Sequence, residues 1–355
     1  MRAALSLARR GLGRVWPNPA VGCVIVDKKG CVAGRGHTQP GGRPHAETEA
    51  LRQAGAAAAG GTAYVTLEPC AHYGKTPPCA EALIAAGIGR CVAALQDPDP
   101  RVAGKGIEML RQAGIQVTLR VLEDEAAEAN AGFLKRVQQG RPLVGLKLAT
   151  TLDARIATSS GESQWITGPA ARQYGHLLRA SFDAILIGSG TALADNPSLT
   201  CRLPGLEQRS PVRLVLDRRL RLPLGCDLVR TAKAVPVWLI TSEGHDDAKL
   251  AAYRAAGVEV LALAGTDPGS ILSALGARGL TRVLIEGGAQ VATAFLQAKA
   301  VDRLFWLRAG SIMGGDGLAA IGGLGLDRLS DMQRFHLSSA QRLGGDYLET
   351  YRHLS

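Results

Sequence analysis

Pro44-His-Ala-Glu47 opens the most informative pattern in this sequence, which continues with the prolyl-cysteines of Leu67-Glu-Pro-Cys70 and Pro77-Pro-Cys79. One imidazole and two thiols are ligands typical of zinc, and three such ligands leave a fourth position open for water. Zinc lowers the pKa of that water toward neutrality, and a nearby carboxylate can move a proton to a departing amine without binding the metal. The pattern therefore predicts a zinc deaminase, with Glu47 as catalytic acid/base and with the metal ligands His45, Cys70 and Cys79.

Each part of this pattern also has a simpler interpretation. A His-x-Glu triplet is common by chance, and two prolyl-cysteines in a loop could form a structural zinc site or be spare thiols. The combination is much rarer than its parts. His45 and Cys79 also each open a predicted helix, where the partial positive charge of the helix N-terminus favours a thiolate.

Around this site, apolar strand-like runs alternate with helical stretches over the first 140 residues, which predicts a mixed α/β sheet covered on both faces. The predicted strands are residues 20–27, 31–36, 62–68, 90–96 and 115–121, and the predicted helices are 46–57, 79–86, 104–113 and 124–138. The helix stop and proline of Gln138-Gln-Gly-Arg-Pro142 predict a domain boundary, giving domains 1–141 and 142–355.

The second domain repeats the α/β pattern. Its predicted strands are 143–150, 184–188, 212–217, 235–241, 258–262 and 282–286, its predicted helices are 168–180 and 289–298, and a hairpin of 336–342 and 346–351 closes the chain around Gly344-Gly345. It has no Gly-x-Gly-x-x-Gly, and the nearest match, Gly188-Ser-Gly-Thr-Ala-Leu193, places Leu where close packing needs a small residue, so a Rossmann domain is disfavoured. Ile285-Glu-Gly-Gly-Ala289 could cradle a phosphate at a helix N-terminus, or could be an ordinary packing turn.

The charge favours small anionic partners over nucleic acid. The net charge is +10, from 41 basic and 31 acidic residues, but the basic residues are scattered and only 4% of residues are aromatic. That composition offers little for stacking bases, so we expect a phosphorylated small molecule and no nucleic acid.

The seven cysteines and the N-terminus indicate the compartment. An odd cysteine count with irregular spacing argues against a disulfide framework. No apolar run is long enough to span a membrane, and the first ten residues suit an amphipathic helix of the fold better than a targeting segment. We therefore expect a cytoplasmic protein without membrane partners.

The eight residues between Cys70 and Cys79 distinguish this chain from base deaminases, which usually have Cys-x-x-Cys. The stretch Glu68-Pro-Cys-Ala-His-Tyr-Gly-Lys-Thr-Pro-Pro-Cys79 closely resembles the deaminase half of the bifunctional riboflavin-biosynthesis deaminase/reductase family. Pro17-Asn-Pro19, Gly36-His37 and Gln96-Asp-Pro-Asp-Pro100 fit the same family, and the resemblance extends over essentially the whole chain.

The resemblance implies an α/β protein with an N-terminal cytidine-deaminase-like α/β/α domain and a C-terminal dihydrofolate-reductase-like α/β domain. The implied first substrate is the diaminopyrimidine ribosylamine 5′-phosphate produced from GTP, which loses its ring 2-amino group. Matching positions imply the substrate-binding residues Asn18, His37, Lys75 and Asp97. Asn18 could instead be a turn residue and Asp97 a cap, and Asp99 departs from the family's usual Asn and is left out of the site.

In the second half, Lys147–Asp153, Gly161–Thr167, Gly190-Thr191 and Asp195–Arg202 resemble the reductase part of the same family. The implied reaction opens the ribose and transfers hydride from NADPH to its first carbon, giving a ribitylamino product. The implied NADPH-binding residues are Ala149, Trp165, Thr191, Asp195, Gly288, Ala289, Gln290, Val291, Ala292, Thr293 and Ala294. The implied substrate-binding residues are Ser163, Arg179, Leu199, Arg202 and Glu286, with Arg179 and Arg202 facing the phosphate.

Some roles stay open at this point. Lys147 could stabilise the opening sugar or simply pair with Asp153, while Ala149 and Ala154 stand where relatives often have Gly. Arg213 and Arg218 bracket the strand end at Asp217, a common place for a contact to the NADPH 2′-phosphate.

Two rival functions stay open from the sequence: a deaminase of RNA or DNA with an accessory domain, and a deaminase whose second half only scaffolds assembly. The two fused domains make a homo-oligomer plausible.

Overall fold

The computed structural model describes residues 1–74, 77–99 and 103–354, which form two compact units, Met1–Arg141 and Pro142–Ser355. The second unit begins at the proline that follows the helix stop. All seven cysteines are free, as expected, and most of them are buried thiols. Among the described helices, none combines the length and the apolar character needed to cross a membrane.

The first unit is a five-stranded sheet in the order β2-β1-β3-β4-β5, in which β1 is antiparallel to both neighbours and β3, β4 and β5 are parallel. Its strands are β1 (Gly22–Val26), β2 (Val32–His37), β3 (Thr62–Val65), β4 (Arg90–Ala93) and β5 (Gln116–Thr118). Its helices are α1 (Arg2–Ala8), α2 (Ala46–Ala54), α3 (Cys79–Ala85), α4 (Lys105–Gln112), α5 (Glu123–Ala129) and α6 (Ala131–Gln139).

Two glycines of β2 bring helix α2 against the sheet. A Cβ atom would lie 2.0 Å from the Ala50 carbonyl oxygen if built on Gly34, and 2.1 Å from the Ala46 carbonyl oxygen if built on Gly36. Any side chain there would push α2 outward. Ala46 and Ala50 are fully buried in the core of this unit, so small residues on both elements set the depth at which the start of α2 sits.

The predicted helix over 124–138 is wrong in one respect, because the structure divides it into α5 and α6. Asn130 lies between them with φ −101° and ψ 12°, outside the helical region. Its side chain is buried and its Nδ2 donates to the Ala126 carbonyl oxygen at 3.4 Å. This local bond competes with continuation of the helix.

The second unit contains a nine-stranded sheet in the order β11-β10-β9-β8-β12-β6-β13-β16-β15 and a two-stranded sheet of β7 and β14. Its strands are β6 (Leu143–Thr150), β7 (Arg155–Ala157), β8 (Ala184–Gly188), β9 (Val212–Leu216), β10 (Val237–Ser242), β11 (Glu259–Leu263), β12 (Arg282–Ile285), β13 (Arg303–Arg308), β14 (Leu318–Ala319), β15 (Phe335–Leu343) and β16 (Asp346–His353). Its helices are α7 (Pro169–Ser181), α8 (Ser189–Asp195), α9 (Asp227–Arg230), α10 (Asp247–Ala255), α11 (Pro268–Ala277) and α12 (Ala289–Gln297).

The strands from β11 to β13 in this order run parallel, and the predicted closing hairpin of β15 and β16 pairs antiparallel beside them. The central strands β8 and β12 are almost continuously buried, which is typical of a parallel sheet covered on both faces. The carboxyl ends of β6, β8, β9 and β12 therefore meet at one edge, where open α/β sheets bind their ligands.

Candidate active sites

In the first unit, the structure brings together the three predicted metal ligands. His45 directly precedes α2, Cys79 opens α3, and Cys70 lies in the loop after β3. Their ligand atoms all lie within 4.8 Å of one another. His45 Nδ1 is 3.3 Å from Cys79 Sγ and 3.6 Å from Cys70 Sγ. Ligand atoms around a tetrahedral zinc lie roughly 3.5 Å apart, so these residues fit that metal.

The two thiols of this cluster share one polar environment. Cys70 Sγ accepts a hydrogen bond from the Cys79 N–H at 3.3 Å. The hydrogen bond from the Cys79 thiol lowers the pKa of Cys70 to about 4, while the same bond and burial raise the pKa of Cys79. Cys70 is therefore the thiol that ionises first, and a metal cation would ionise both.

Glu47 lies in the first turn of α2 with only 3% of its surface exposed. Burial, and then the negative charge of Cys70, raise the pKa of Glu47 to about 7. A carboxyl group with a pKa near neutrality can both accept and donate a proton at ordinary pH. This is the property that the predicted acid/base requires.

The other predicted residues of the deaminase site occupy local turns. The Asn18 side chain packs against Gly42, since a Cβ atom built on Gly42 would lie only 1.7 Å from Asn18 Nδ2. His37 ends β2, and its Nδ1 lies 2.9 Å from Gln39 Nε2. Asp97 is buried, and its Oδ1 accepts from the Asp99 N–H at 2.9 Å. The turn and cap interpretations therefore describe part of what these residues do, and Lys75 lies outside the described residues.

In the second unit, Glu286 follows β12 as a buried carboxylate between two cations. Arg179 on α7 makes two hydrogen bonds of 2.8 Å to it, and Lys147 Nζ on β6 lies 3.7 Å from it. Burial alone would raise the pKa of Glu286, but the charges of Arg179 and Lys147 outweigh it and lower the pKa to about 2. Glu286 is therefore ionised throughout the ordinary pH range.

The alternative pairing of Lys147 with Asp153 is wrong, because Lys147 pairs with Glu286. Asp153 instead accepts from the Thr151 hydroxyl at 2.5 Å and from the Gly314 N–H at 2.7 Å. These hydrogen bonds, the Thr151 hydroxyl first, lower the pKa of Asp153 to about 2. Asp153 thus anchors the loop that contains Gly314.

The glycine-rich turn after β12 lies against α8. A Cβ on Gly287 would lie 3.1 Å from Ile187 Cγ2, and one on Gly288 would lie 3.1 Å from Thr191 Oγ1. Gly288 has φ +72°, which favours glycine. A bare backbone turn that leads into the nine-residue helix α12 fits the phosphates of a dinucleotide such as NADPH.

Most other predicted residues of the second site surround this edge of the sheet. Thr191 and Asp195 lie on α8, Ala149 lies on β6, and Trp165 is 66% exposed with the Arg172 guanidinium 4.6 Å from its ring centroid. In the loop after α8, Leu199 is buried with φ +55°, and Arg202 Nη1 donates to Ser198 Oγ at 2.7 Å.

Of the two arginines that bracket the strand end at Asp217, Arg213 is occupied by contacts within the protein. Its side chain is fully buried, and its guanidinium donates to the Ser198 carbonyl oxygen at 3.2 Å and to Thr231 Oγ1 at 2.8 Å. Burial lowers the pKa of Arg213 to about 10. Arg213 therefore braces the loop that contains Ser198, and Arg218 is the exposed one of the pair.

One basic residue near this edge was missed by the sequence analysis. Arg221 Nη2 donates to Ser189 Oγ at 2.7 Å, and Arg221 Nε lies 3.9 Å from the buried Asp217 carboxylate. Its side chain is 52% exposed. The spacing of four residues from Asp217 is the sequence signal that could have identified it.

Comparison with known proteins matches both parts of the chain. Residues 1–95 match the cytidine and deoxycytidylate deaminase zinc-binding region, and residues 142–348 match the RibD C-terminal domain. The riboflavin biosynthesis protein RibD of Bacillus amyloliquefaciens is 43% identical over 350 residues, covering 98% of this chain and 93% of the relative.

Solved structures agree with these matches. Form 1 of RibD from Acinetobacter baumannii has a TM-score of 0.90 and 40% identity, covering 100% of this chain and 98% of that one. A diaminohydroxyphosphoribosylaminopyrimidine deaminase/5-amino-6-(5-phosphoribosylamino)uracil reductase from Thermotoga maritima has a TM-score of 0.87 and 37% identity, covering 100% and 97%.

Proposed function

The chain belongs to the RibD family of riboflavin biosynthesis proteins, and we propose which of its residues carry out each of that family's two reactions. It is a bifunctional enzyme with a zinc-dependent deaminase activity and an NADPH-dependent reductase activity. The predicted family and the predicted fold class, a cytidine-deaminase-like domain followed by a reductase domain consistent with the dihydrofolate reductase fold, are confirmed. Assembly into a homo-oligomer and a cytoplasmic location stay predictions.

Residues 1–141 are assigned to deamination and residues 142–355 to reduction. The division into compact units and the two family matches support this assignment. The proposed first substrate is the diaminopyrimidine ribosylamine 5′-phosphate, and the proposed second is 5-amino-6-(5-phosphoribosylamino)uracil. The name of the Thermotoga maritima relative supports both.

In the proposed deamination, His45, Cys70 and Cys79 would hold the zinc, which when bound supplies a water of lowered pKa. Glu47 takes a proton from the attacking water as the oxygen bonds to the ring carbon. The same carboxyl returns a proton to the departing nitrogen, so that the ring amine leaves as ammonia. Asn18, His37 and Asp97 are proposed to orient the pyrimidine, and Lys75 to meet the phosphate.

In the proposed reduction, bound NADPH would supply a hydride for the first carbon of the ribose. Glu286 stays ionised between its two cations and accepts hydrogen bonds from the sugar. Lys147 donates a proton to the ring oxygen as the sugar opens. Arg202 and Arg179 are proposed to face the substrate phosphate, and the backbone N–H groups at the start of α12 would hold the cofactor phosphates.

The single observation that supports this function most strongly is the convergence of His45, Cys70 and Cys79 beside the buried Glu47. It is tested by measuring ammonia release from the diaminopyrimidine substrate and NADPH oxidation with the deaminated product. A zinc-loaded preparation that releases no ammonia would contradict the deaminase assignment.

Cys70→Ser and Cys79→Ser are each expected to lose most of the bound zinc and therefore deamination. A hydroxyl is a much poorer zinc ligand than a thiolate, and a catalytic zinc site normally needs three protein ligands. Metal analysis of the purified variants measures this. Cys31→Ser, at an exposed free thiol, is the matched control and should keep its zinc. A full equivalent of metal in either ligand variant would show that the ligand set is wrong.

NADPH is expected to bind more tightly than NADH, by roughly tenfold to a hundredfold per well-made contact to the 2′-phosphate. Arg218 and Arg221 lie just beyond the carboxyl end of β9 and are the proposed contacts, so Arg221→Met should reduce the preference. Fluorescence titration with both cofactors at matched ionic strength measures it, and the preference should weaken as salt rises. Arg254→Met, an exposed change on α10, is the control. Equal affinities in the wild type would overturn the cofactor preference.

A further inference from the structure

Glu68 is a buried carboxylate beside the metal ligands that has no assigned role in the deamination described above. It lies between β3 and Cys70, and only 3% of its surface is exposed. Its Oε2 accepts from the backbone N–H groups of Asp97 at 3.2 Å and Gly104 at 3.0 Å. Its Oε1 accepts from those of Gly106 at 3.0 Å and Ile107 at 3.3 Å.

These bonds join two separate segments to the turn that contains Cys70. One segment directly follows β4, and there the Glu68 N–H also donates to the Leu95 carbonyl oxygen at 2.8 Å. The other is the first turn of α4, where a Cβ on Gly106 would lie 1.9 Å from the Pro69 carbonyl oxygen. The start of α4 therefore packs directly on the residue before Cys70.

A helix cap alone does not explain this arrangement. Capping α4 needs only the N–H groups at its start, yet the same carboxylate also binds the Asp97 N–H. The Asp97 backbone is therefore tied to the turn that contains Cys70 by this buried carboxylate, in addition to the backbone hydrogen bond between Glu68 and Leu95.

We propose that Glu68 is a positioning residue for deamination, because it holds the segment that contains Asp97 in a fixed position relative to the turn that contains Cys70. This inference rests on the proposed function, in which Asp97 orients the pyrimidine. Displacement of Asp97 by a fraction of an ångström would weaken binding of the ring, whereas the zinc ligands and Glu47 would keep their places.

Glu68→Gln tests this, since glutamine has nearly the same shape but replaces one acceptor oxygen with a donor NH2. The KM for the diaminopyrimidine substrate is expected to rise by roughly tenfold or more, with a smaller change in kcat. Zinc content and reductase kinetics should match the wild type. Glu108→Gln is the matched control, because Glu108 is an exposed residue of α4 whose carboxylate accepts from Gln112.

Several outcomes would overturn the proposal. An unchanged KM in zinc-loaded Glu68→Gln would do so, as would loss of kcat alone, because neither result would show weaker binding of the ring. Loss of zinc would also do so, because Glu68 would then support the metal site and not the Asp97 segment. If Glu68→Gln does not fold, Glu68→Asp is the second test, and a raised KM with normal zinc content is again the expected result. Aspartate keeps the charge, but its shorter side chain cannot reach both segments. Absence of deamination in the wild type would instead contradict the proposed function itself.

Discussion

Glu47→Gln is expected to keep one equivalent of zinc and to lower the rate of deamination by roughly 10²- to 10⁴-fold or more. Glutamine preserves the shape of the side chain, so the start of α2 and the neighbouring His45 should be undisturbed. The amide, however, cannot take a proton from water and return it to the leaving nitrogen. Because Glu47 is proposed to move protons and not to bind the metal, the variant should keep its zinc while it loses turnover.

Metal analysis and ammonia release on the same purified sample measure both quantities. Glu49→Gln is the matched control, because Glu49 lies on the same helix and forms an ion pair with Arg52 at 3.0 Å. It should retain nearly all activity. Near-normal turnover in Glu47→Gln would refute the catalytic assignment, and loss of zinc would show that Glu47 serves the metal site.

The ligands of the zinc cluster could be predicted because each of them lies at a local sequence signal. His45 and Cys79 were each expected to open a helix, and the structure places them at the starts of α2 and α3. Their convergence is long-range, because His45 and Cys79 are 34 residues apart in the sequence. The close approach of α2 to the sheet was not predicted, since it depends on Gly34 and Gly36 of strand β2.

The charged pairs of the second unit could not be predicted, because they depend on strand order. Asp153 is close to Lys147 in the sequence, but β6 lies beside β12 in the sheet, and that places Lys147 next to Glu286. Arg213 illustrates the same limit, since it lies on β9 between two parallel neighbours and its side chain is buried. Proximity along the chain is a poor guide when strands pair across long crossovers.

Glu286→Ala is expected to abolish reduction and to leave deamination of the diaminopyrimidine intact. The change removes a proposed substrate ligand and leaves Arg179 and Lys147 without their shared anion. Removing one member of a buried ion pair costs about 3–5 kcal/mol of folding stability, so folding of the variant must be verified first.

The pH dependence of stability provides an independent check on this carboxylate. Its pKa is lowered from 4.5 to about 2, so its contribution to the free energy of unfolding is present above pH 4.5. That contribution is lost as the pH falls toward 2. The stability difference between the wild type and Glu286→Gln should therefore shrink in acid.

Separate assays with each half-reaction's own substrate measure the two activities. Asp195→Ala should show the same loss of reduction without a large loss of stability, because Asp195 is an exposed residue of α8. Glu259→Ala is the control, since it removes only an exposed ion pair with Arg278, which contributes little to stability. Loss of both activities in a folded Glu286→Ala variant would contradict two separate sites, because a residue of the second unit would then be required for both reactions.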